Sequence, residues 1–165
     1  MLKKIDIKIF FILYNFTVSH IFISRIAVII TKFSSKFFSF TYFVVGAWLI
    51  YKSDPRLKSF ILIPAAVYLI VKIIPLIYNR RRPFAEHNLK SLVKQRQDHS
   101  FPSTHTASSL IITLAIFNIN FELGILMIVL ALITSLTRIM VGVHYPTDIL
   151  GSLILSLIFN IFYVH

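Results

Sequence analysis

The chain has 165 residues, of which 57% are hydrophobic and 14% are charged, and its formal net charge is +11. Soluble domains are about 45–50% apolar, so this composition excludes an ordinary soluble protein and favours one that uses lipid as its solvent. The basic residues stand at the ends of apolar runs, where anionic lipid headgroups are the natural partner, so we expect membrane lipids and no nucleic acid as partners. Because the chain has no cysteine, disulfides and thiolate metal sites are excluded.

The apolar runs predict the helices in chain order. Residues 10–30 are interrupted by His20 and Arg25, and they predict either a spanning helix or an amphipathic helix in the interface. Five further runs predict spanning helices, although several fall short of the roughly 20 residues that a span needs. They are residues 37–51, 60–79 (interrupted by Lys72), 106–121, 123–137 and 149–164. We therefore predict an all-α, polytopic transmembrane bundle of five to six helices, in one domain over residues 1–165.

The order of these helices brings two distant segments to one membrane face. If residues 37–51 end on the first side, the long polar loop 80–103 and the turn 138–148 both lie on the second side. A long loop in a compact chain is often functional. We predict a multi-pass protein of the cell membrane whose active site lies at this second face. We expect that face to point outward, against a plain positive-inside count, because some of its arginines resemble ligand-binding groups.

The turn after residues 123–137 carries His144 and Asp148. An unprotonated imidazole can attack phosphorus, and a carboxylate bonded to its other nitrogen fixes the tautomer. A helix cap beside an interfacial histidine is the alternative. Arg138 favours the catalytic interpretation, because a cation at the end of an apolar run is costly and its guanidinium can bind two phosphate oxygens. A snorkelling arginine that only anchors the helix end is the alternative there.

Residues 100–105 predict a loop that leads into a helix N-terminus. Pro102 ends the preceding segment, and Ser103 or Thr104 caps the helix, whose free N–H groups suit a phosphate. The Ser103 hydroxyl adds a donor, and His105 in the first turn can protonate a leaving oxygen. An ordinary cap with an interfacial histidine is the alternative interpretation.

The arginine cluster before Pro83 is the third polar feature. Pro83 biases Arg82 toward extended backbone, and Arg80 shares a side with Arg82 only if that backbone is extended. We predict that Arg82 and Arg80 bind phosphate and that Arg81 faces solvent or lipid. The three clusters together supply a nucleophile, an orienting acid, a general acid and arginines, which are the parts that phosphoryl transfer needs.

These residues resemble the three-part signature of the phosphatidic acid phosphatase type 2 superfamily. The family pattern is Lys-x6-Arg-Pro, then Pro-Ser-Gly-His, then Ser-Arg-x5-His-x3-Asp. In this chain the corresponding residues are Arg82-Pro83, residues 102–105 and residues 137–148. Order and spacing agree within the second and third motifs. The three-part match is highly specific, and the helices around it cover most of the chain.

The resemblance implies a mechanism. His144 forms a phosphohistidine and is oriented by Asp148, while His105 protonates the departing lipid oxygen and then helps to activate water. The phosphate is held by Arg82, Arg138, Ser103 and backbone amides near Thr104. The resemblance implies that no metal or other cofactor is required.

The chain departs from the family pattern at three positions. Thr104 replaces glycine, which makes the loop less tolerant of positive φ, and Thr137 replaces serine and keeps the hydroxyl. Pro75 occupies the place of the lysine of the first motif. Either Lys72, about one helical turn deeper, or Arg80 is left as its replacement.

Within the superfamily, residues 82–84, 100–106 and 141–146 resemble those of bacterial undecaprenyl-diphosphatases. That resemblance implies hydrolysis of undecaprenyl diphosphate, recycling of the lipid carrier for peptidoglycan and cell-wall biogenesis, and bacitracin resistance. A phosphatase for phosphatidic acid or phosphatidylglycerophosphate is the second possibility. The third is a lipid-binding or lipid-transporting protein that retains the fold without catalysis. The apolar runs disfavour a soluble secreted haloperoxidase.

Overall fold

The structure, a computed structural model, describes residues 2–163 and contains in that range seven helices and no strand. The helices are α1 (Leu2–Ser19), α2 (Ile21–Tyr51), α3 (Leu57–Ile77), α4 (Pro83–Glu86), α5 (Thr104–Phe117), α6 (Phe121–Met140) and α7 (Pro146–Asn160). The predicted all-α bundle is confirmed. Val164, the last residue of the predicted run 149–164, lies outside the described residues, as do Met1 and His165.

Length and composition decide which helices can cross a membrane. The helices α3 and α6 meet both conditions singly, and α1 and α2 meet them as a pair bent by 112°. The helices α5 and α7 are apolar but shorter, with 14 and 15 residues. The described part of the chain therefore has two or three helices that qualify as spans on these grounds.

The segment 10–30 is not one helix, since it is divided between α1 and α2 at His20. His20 has extended backbone angles, φ −121° and ψ 99°. Its Nδ1 lies 2.8 Å from the carbonyl oxygen of Phe16. A residue in this conformation ends α1 and begins α2. Both alternatives predicted for residues 10–30 assumed one continuous helix, whereas the structure has a break at His20.

The core of the bundle surrounds α5. Nine of its 14 residues are buried, and α5 packs against α2, α3, α6 and α7. Large apolar side chains on the outer helices face outward instead; Phe40, Leu62 and Leu132 are 69%, 65% and 54% exposed. Such outward apolar surface is stable only in lipid.

Four helices meet at the second face of the bundle, where α3 and α6 end and α5 and α7 begin. Hydrogen bonds join its two distant segments: the Ser103 amide donates to the Asp148 carbonyl at 3.3 Å, and the Phe84 amide donates to the Gly142 carbonyl at 3.2 Å. The helix α1 also lies at this face, where the Tyr14 hydroxyl donates to the carbonyl of Lys90 at 2.8 Å. The loop 80–103 and the turn 138–148 meet here, as predicted.

Candidate active site

His144 lies in the turn between α6 and α7 and is 1% exposed. Its Nδ1 is 2.8 Å from the carbonyl oxygen of Ser100. A carbonyl can only accept, so Nδ1 carries the proton and Nε2 is unprotonated. Arg82 Nη1 lies 3.1 Å from Nε2 and can only donate, which agrees with that tautomer. Nε2 is therefore in the state that a nucleophile needs.

The electrostatic surroundings keep this imidazole neutral. Burial, with the guanidinium groups of Arg82 and Arg138 acting in the same direction against the Asp148 carboxylate, lowers the pKa of His144 to about 4. At neutral pH the histidine therefore retains the lone pair with which it can attack phosphorus.

Asp148 acts on His144 mainly through Ser100. Its Oδ2 lies 3.5 Å from His144 Nδ1, which is longer than a hydrogen bond of useful strength. The same Oδ2 accepts hydrogen bonds from the Ser100 hydroxyl at 2.6 Å and from the Tyr145 amide at 2.8 Å. Sequence reasoning expected the carboxylate to orient the imidazole directly; the structure places the Ser100 carbonyl at the nearer position.

Arg80 occupies a different place from the one predicted. Its guanidinium donates at 2.7 Å to Asp6, to Asp148 and to the Thr147 hydroxyl. It also lies 4.1 Å from the centre of the Tyr145 ring. Through these contacts Arg80 joins α1 to the start of α7 and positions Asp148.

Asp6 escaped sequence reasoning, although a signal for it exists. It shares one face of α1 with Phe10, Tyr14 and Thr17, at helical spacing, and this face is buried. Asp6 is 3% exposed and accepts from the Thr147 amide at 2.9 Å. A carboxylate on the apolar face of a helix requires a cationic partner, and here that partner is Arg80.

Arg82 is 7% exposed and connects the long loop to the turn of His144. Its Nε donates to the Asp98 carbonyl at 3.0 Å, its Nη2 to the His99 carbonyl at 3.1 Å and its Nη1 to the Val143 carbonyl at 3.0 Å. Burial lowers the pKa of Arg82 to about 10, so the guanidinium remains charged at neutral pH. It therefore fixes the nucleophile and supplies positive charge beside it.

Arg138 lies in the last turn of α6 and is 2% exposed. Its Nε and Nη2 have no hydrogen-bond partner within residues 2–163. A buried guanidinium with free donors is costly unless an anion completes it. Arg138 therefore keeps two guanidinium donors that no described residue uses.

An open cleft of about 460 Å³ contains the remaining predicted groups. It is lined by Val71, Lys72, Pro75, Leu76, Arg82, Gln95, Arg96, His99, Thr104, His105 and His144. The structure therefore brings together Arg82, Thr104 and both histidines. Ser103 is fully buried behind the start of α5, where its hydroxyl accepts from the Thr106 amide at 3.4 Å, so it acts as the predicted cap.

The lining of the cleft includes one of the two residues predicted to replace the missing lysine, and it includes loop residues that the sequence did not indicate. Lys72 lines the cleft, whereas Arg80 does not. Gln95, Arg96 and His99 also line it, from a stretch of loop whose sequence offered no pattern.

Within residues 2–163, no group of three or more His, Cys, Asp or Glu side chains is arranged to hold a metal ion.

An apolar helical bundle with two histidines and several arginines at one end is a membrane protein equipped for phosphoryl transfer. The family model described as the PAP2 superfamily matches residues 56–165, and the chain belongs to this superfamily. The resemblance stated from the signature is confirmed.

Three curated proteins are similar in sequence to this chain over part of their length. The chain is 41% identical over 86 residues to undecaprenyl-diphosphatase BcrC of Bacillus subtilis (strain 168), covering 52% of this chain and 45% of that protein. It is 32% identical over 122 residues to bacitracin transport permease protein BcrC of Bacillus licheniformis, covering 72% of this chain and 60% of that protein. It is 35% identical over 80 residues to the putative undecaprenyl-diphosphatase YbjG of Escherichia coli (strain K12), covering 47% and 39%. The chain thus spans about half the length of the curated relatives that it matches.

Two solved structures share the fold. Aquifex aeolicus LpxE has a TM-score of 0.76 at 20% identity, covering 94% of this chain and 92% of that one. The transmembrane PAP2 type phosphatidylglycerolphosphate phosphatase from Bacillus subtilis has a TM-score of 0.78 at 21% identity, covering 98% and 84%. At these identities the likeness establishes the helical architecture alone.

Proposed function

We propose that this protein is a multi-pass lipid phosphatase that hydrolyses undecaprenyl diphosphate to undecaprenyl phosphate and phosphate. The observation that carries the proposal is the unprotonated Nε2 of His144, set beside guanidinium groups in a cleft that also contains His105. The substrate is drawn from the named relatives, two of which are an undecaprenyl-diphosphatase and a putative one. The corresponding role is recycling of the lipid carrier for peptidoglycan synthesis, with bacitracin resistance as a consequence.

The proposed reaction has two displacement steps at the terminal phosphorus. Nε2 of His144 attacks, the bond from phosphorus to the bridging oxygen breaks, and protonated His105 donates its proton to that oxygen as it departs. Water then attacks the phosphohistidine and gives its proton to His105, and the bond from phosphorus to Nε2 breaks, which releases inorganic phosphate and restores His144. Arg138, Arg82 and the amides at the start of α5 neutralise the equatorial oxygens in both steps.

A phosphate-release panel tests the substrate. Purified protein is given undecaprenyl diphosphate, phosphatidic acid or phosphatidylglycerophosphate in detergent, each with a chelator present. We expect release from the diphosphate to exceed release from the other lipids by at least about tenfold in kcat/KM, equivalent to about 1.4 kcal/mol. A higher rate on either monophosphate lipid would move the assignment to that substrate.

His144→Ala separates an enzyme from a lipid-binding protein. Loss of a nucleophile typically costs about 10⁴-fold or more in kcat, so hydrolysis is expected to disappear while lipid binding persists. His20→Ala is the control, because His20 is an exposed histidine outside the cleft lining. Near-normal turnover in His144→Ala would instead favour the non-catalytic alternative.

A further inference from the structure

A second cavity, of about 260 Å³, adjoins the active-site cleft on the side of α2 and α3. The two cavities share Lys72, Thr104 and His105. Hydroxyl groups from α2, α5 and α6 supply much of the remaining wall, including those of Ser34, Ser108 and Thr134. We call this cavity the hydroxyl chamber. A cluster of hydroxyl groups among apolar helices requires an explanation, because lipid does not solvate hydroxyl groups.

Ser34 indicates that the hydroxyl chamber takes a polar ligand. It is 8% exposed, and its Oγ has no hydrogen-bond partner within the described residues. Other buried serines of the bundle are satisfied; the Ser109 hydroxyl, for example, donates to the Thr106 carbonyl at 3.0 Å. A buried hydroxyl left without a partner is destabilising, so the Ser34 hydroxyl is available to a bound group.

The geometry of displacement identifies which part of the substrate enters the hydroxyl chamber. His144 lines the cleft but not the chamber, whereas His105 lines both. In an in-line displacement the leaving oxygen departs on the side opposite the nucleophile. The lipid side of the broken bond therefore lies beyond His105, in the hydroxyl chamber.

The charge of the hydroxyl chamber matches an anion. Lys72 supplies an ammonium group, whose Nζ lies 5.3 Å from the centre of the Tyr68 ring. Among residues 2–163, no carboxylate side chain lines the chamber. We propose that the hydroxyl chamber binds the second phosphate of a diphosphate lipid, the one that stays on the lipid, with Lys72 as its counter-charge. This inference rests on the proposed function and explains a preference for diphosphate over monophosphate lipids.

The hydrocarbon chain of the same lipid has a path out of the hydroxyl chamber. Ser34, Phe38 and Thr134 line both the chamber and an apolar groove of about 350 Å³ between α2 and α6. The other residues that line the groove, among them Phe33, are all apolar. Continuity with the hydroxyl chamber places the chain of the bound substrate in this groove.

Lys72→Met tests the phosphate assignment, because Lys72 is exposed and the change removes the charge while keeping an unbranched side chain. The measurement is kcat/KM for a 15-carbon prenyl diphosphate and for the monophosphate of the same chain. Loss of one charged contact predicts at least about a tenfold decrease for the diphosphate and less than about threefold for the monophosphate. Lys36→Met, on an exposed lysine outside the hydroxyl chamber, is the control. An equal loss on both lipids, or no loss, overturns the proposal.

Binding separates failure of this inference from failure of the proposed function. In a His144→Ala background, which cannot form the phosphohistidine, Lys72→Met is expected to weaken binding of the prenyl diphosphate at least tenfold more than binding of the monophosphate. This comparison needs no turnover, so it stands whether or not the wild-type protein hydrolyses these lipids. Equal weakening contradicts the hydroxyl chamber as the site of a second phosphate.

Ile133→Trp tests the path of the chain, because Ile133 lines the apolar groove but not the hydroxyl chamber. The indole ring is expected to lower kcat/KM at least tenfold for the 15-carbon diphosphate and to leave a five-carbon prenyl diphosphate within threefold of wild type. An equal decrease for both chain lengths, or none, contradicts the path between α2 and α6.

Discussion

Arg82 holds His144 through the planar shape of its guanidinium group. Its three nitrogens donate to carbonyl groups of the loop and of the turn, and one of them also contacts His144 Nε2. Lysine has a single ammonium group and cannot reproduce these directions.

Arg82→Lys is therefore expected to damage the site despite keeping the charge. We predict a decrease in kcat/KM of about 10²-fold and a loss of about 1–3 kcal/mol in stability from carbonyls left without donors. Phosphate release and thermal unfolding in detergent measure the two effects. Arg81→Lys, at an exposed arginine, is the matched control and should change neither. Wild-type kcat/KM in Arg82→Lys would show that the site needs only the positive charge at position 82 and not the hydrogen-bond directions of arginine.

The lowered pKa of His144 predicts how its protonation depends on pH. The pKa of His144 is about 4 in the folded protein, whereas an unfolded histidine has a pKa of about 6.5. Between about pH 4 and pH 6.5, therefore, His144 is protonated only in the unfolded state. Its contribution to the free energy of unfolding is complete above pH 6.5 and is lost as the pH falls toward 4.

NMR of histidine-labelled protein measures this directly, with the His144 signal identified by its loss in His144→Asn. We expect its titration midpoint well below 6.5. A midpoint at or above 6.5 would mean that the imidazole is hydrated or paired more strongly with Asp148 than the geometry indicates.

Sequence reasoning predicted correctly that Arg82, Thr104, His105 and His144 meet, because the alternation of helices determines which chain ends share a face. It could not predict the contacts of Arg80. Whether that guanidinium turns toward phosphate or toward Asp6 depends on how α1 docks, and no local pattern records that docking. The role of Ser100 was missed for the same reason, since it depends on a carbonyl direction set by the loop.

At the scale of elements, the turn between α6 and α7 sets the position of the nucleophile. Gly142 has φ +88°, and a Cβ added there would lie 3.1 Å from the Tyr14 ring. The turn therefore needs glycine both for its backbone and for the close approach of α1.

Gly142→Ala is expected to destabilise the protein by roughly 1–3 kcal/mol and to lower kcat by displacing His144. Gly46→Ala is the matched control, because a Cβ there meets Phe60 at an ordinary 3.5 Å inside α2; alanine in a helix interior is neutral or slightly stabilising. Thermal unfolding and phosphate release compare the two variants. Equal behaviour would show that the turn tolerates a side chain and that α1 can give way.

The boundaries of α2 could not be predicted from the pattern of apolar residues. The uncharged run 37–51 predicted only the second half of a helix that begins at Ile21 and has 31 residues. Lys32 and Lys36 interrupted the apolar pattern, yet both are exposed and do not disturb the buried face. A helix of this length is about 46 Å long, which exceeds the roughly 30 Å hydrocarbon core, so its charged first half can reach the headgroups.

At the scale of the whole molecule, orientation decides which compartment supplies the substrate. Asn88 is exposed in the long loop, and Ser53 is exposed in the turn between α2 and α3 at the opposite end of the bundle. The chain has no cysteine, so a single introduced cysteine is uniquely labelled.

With an impermeant maleimide on intact cells, we predict that Asn88→Cys is labelled and that Ser53→Cys is labelled only after permeabilisation. The reverse result would place the active site in the cytoplasm, in line with the positive-inside count. It would leave the chemistry of the site unchanged.

The central claim is that His144 attacks the terminal phosphorus of a lipid phosphate. Rapid quenching of a single turnover with a prenyl diphosphate radiolabelled at its terminal phosphorus tests it most directly. The account predicts an acid-labile, alkali-stable phosphoryl group that peptide mapping assigns to His144 and that His144→Ala lacks. Label on another residue, or full turnover by His144→Ala, would contradict it.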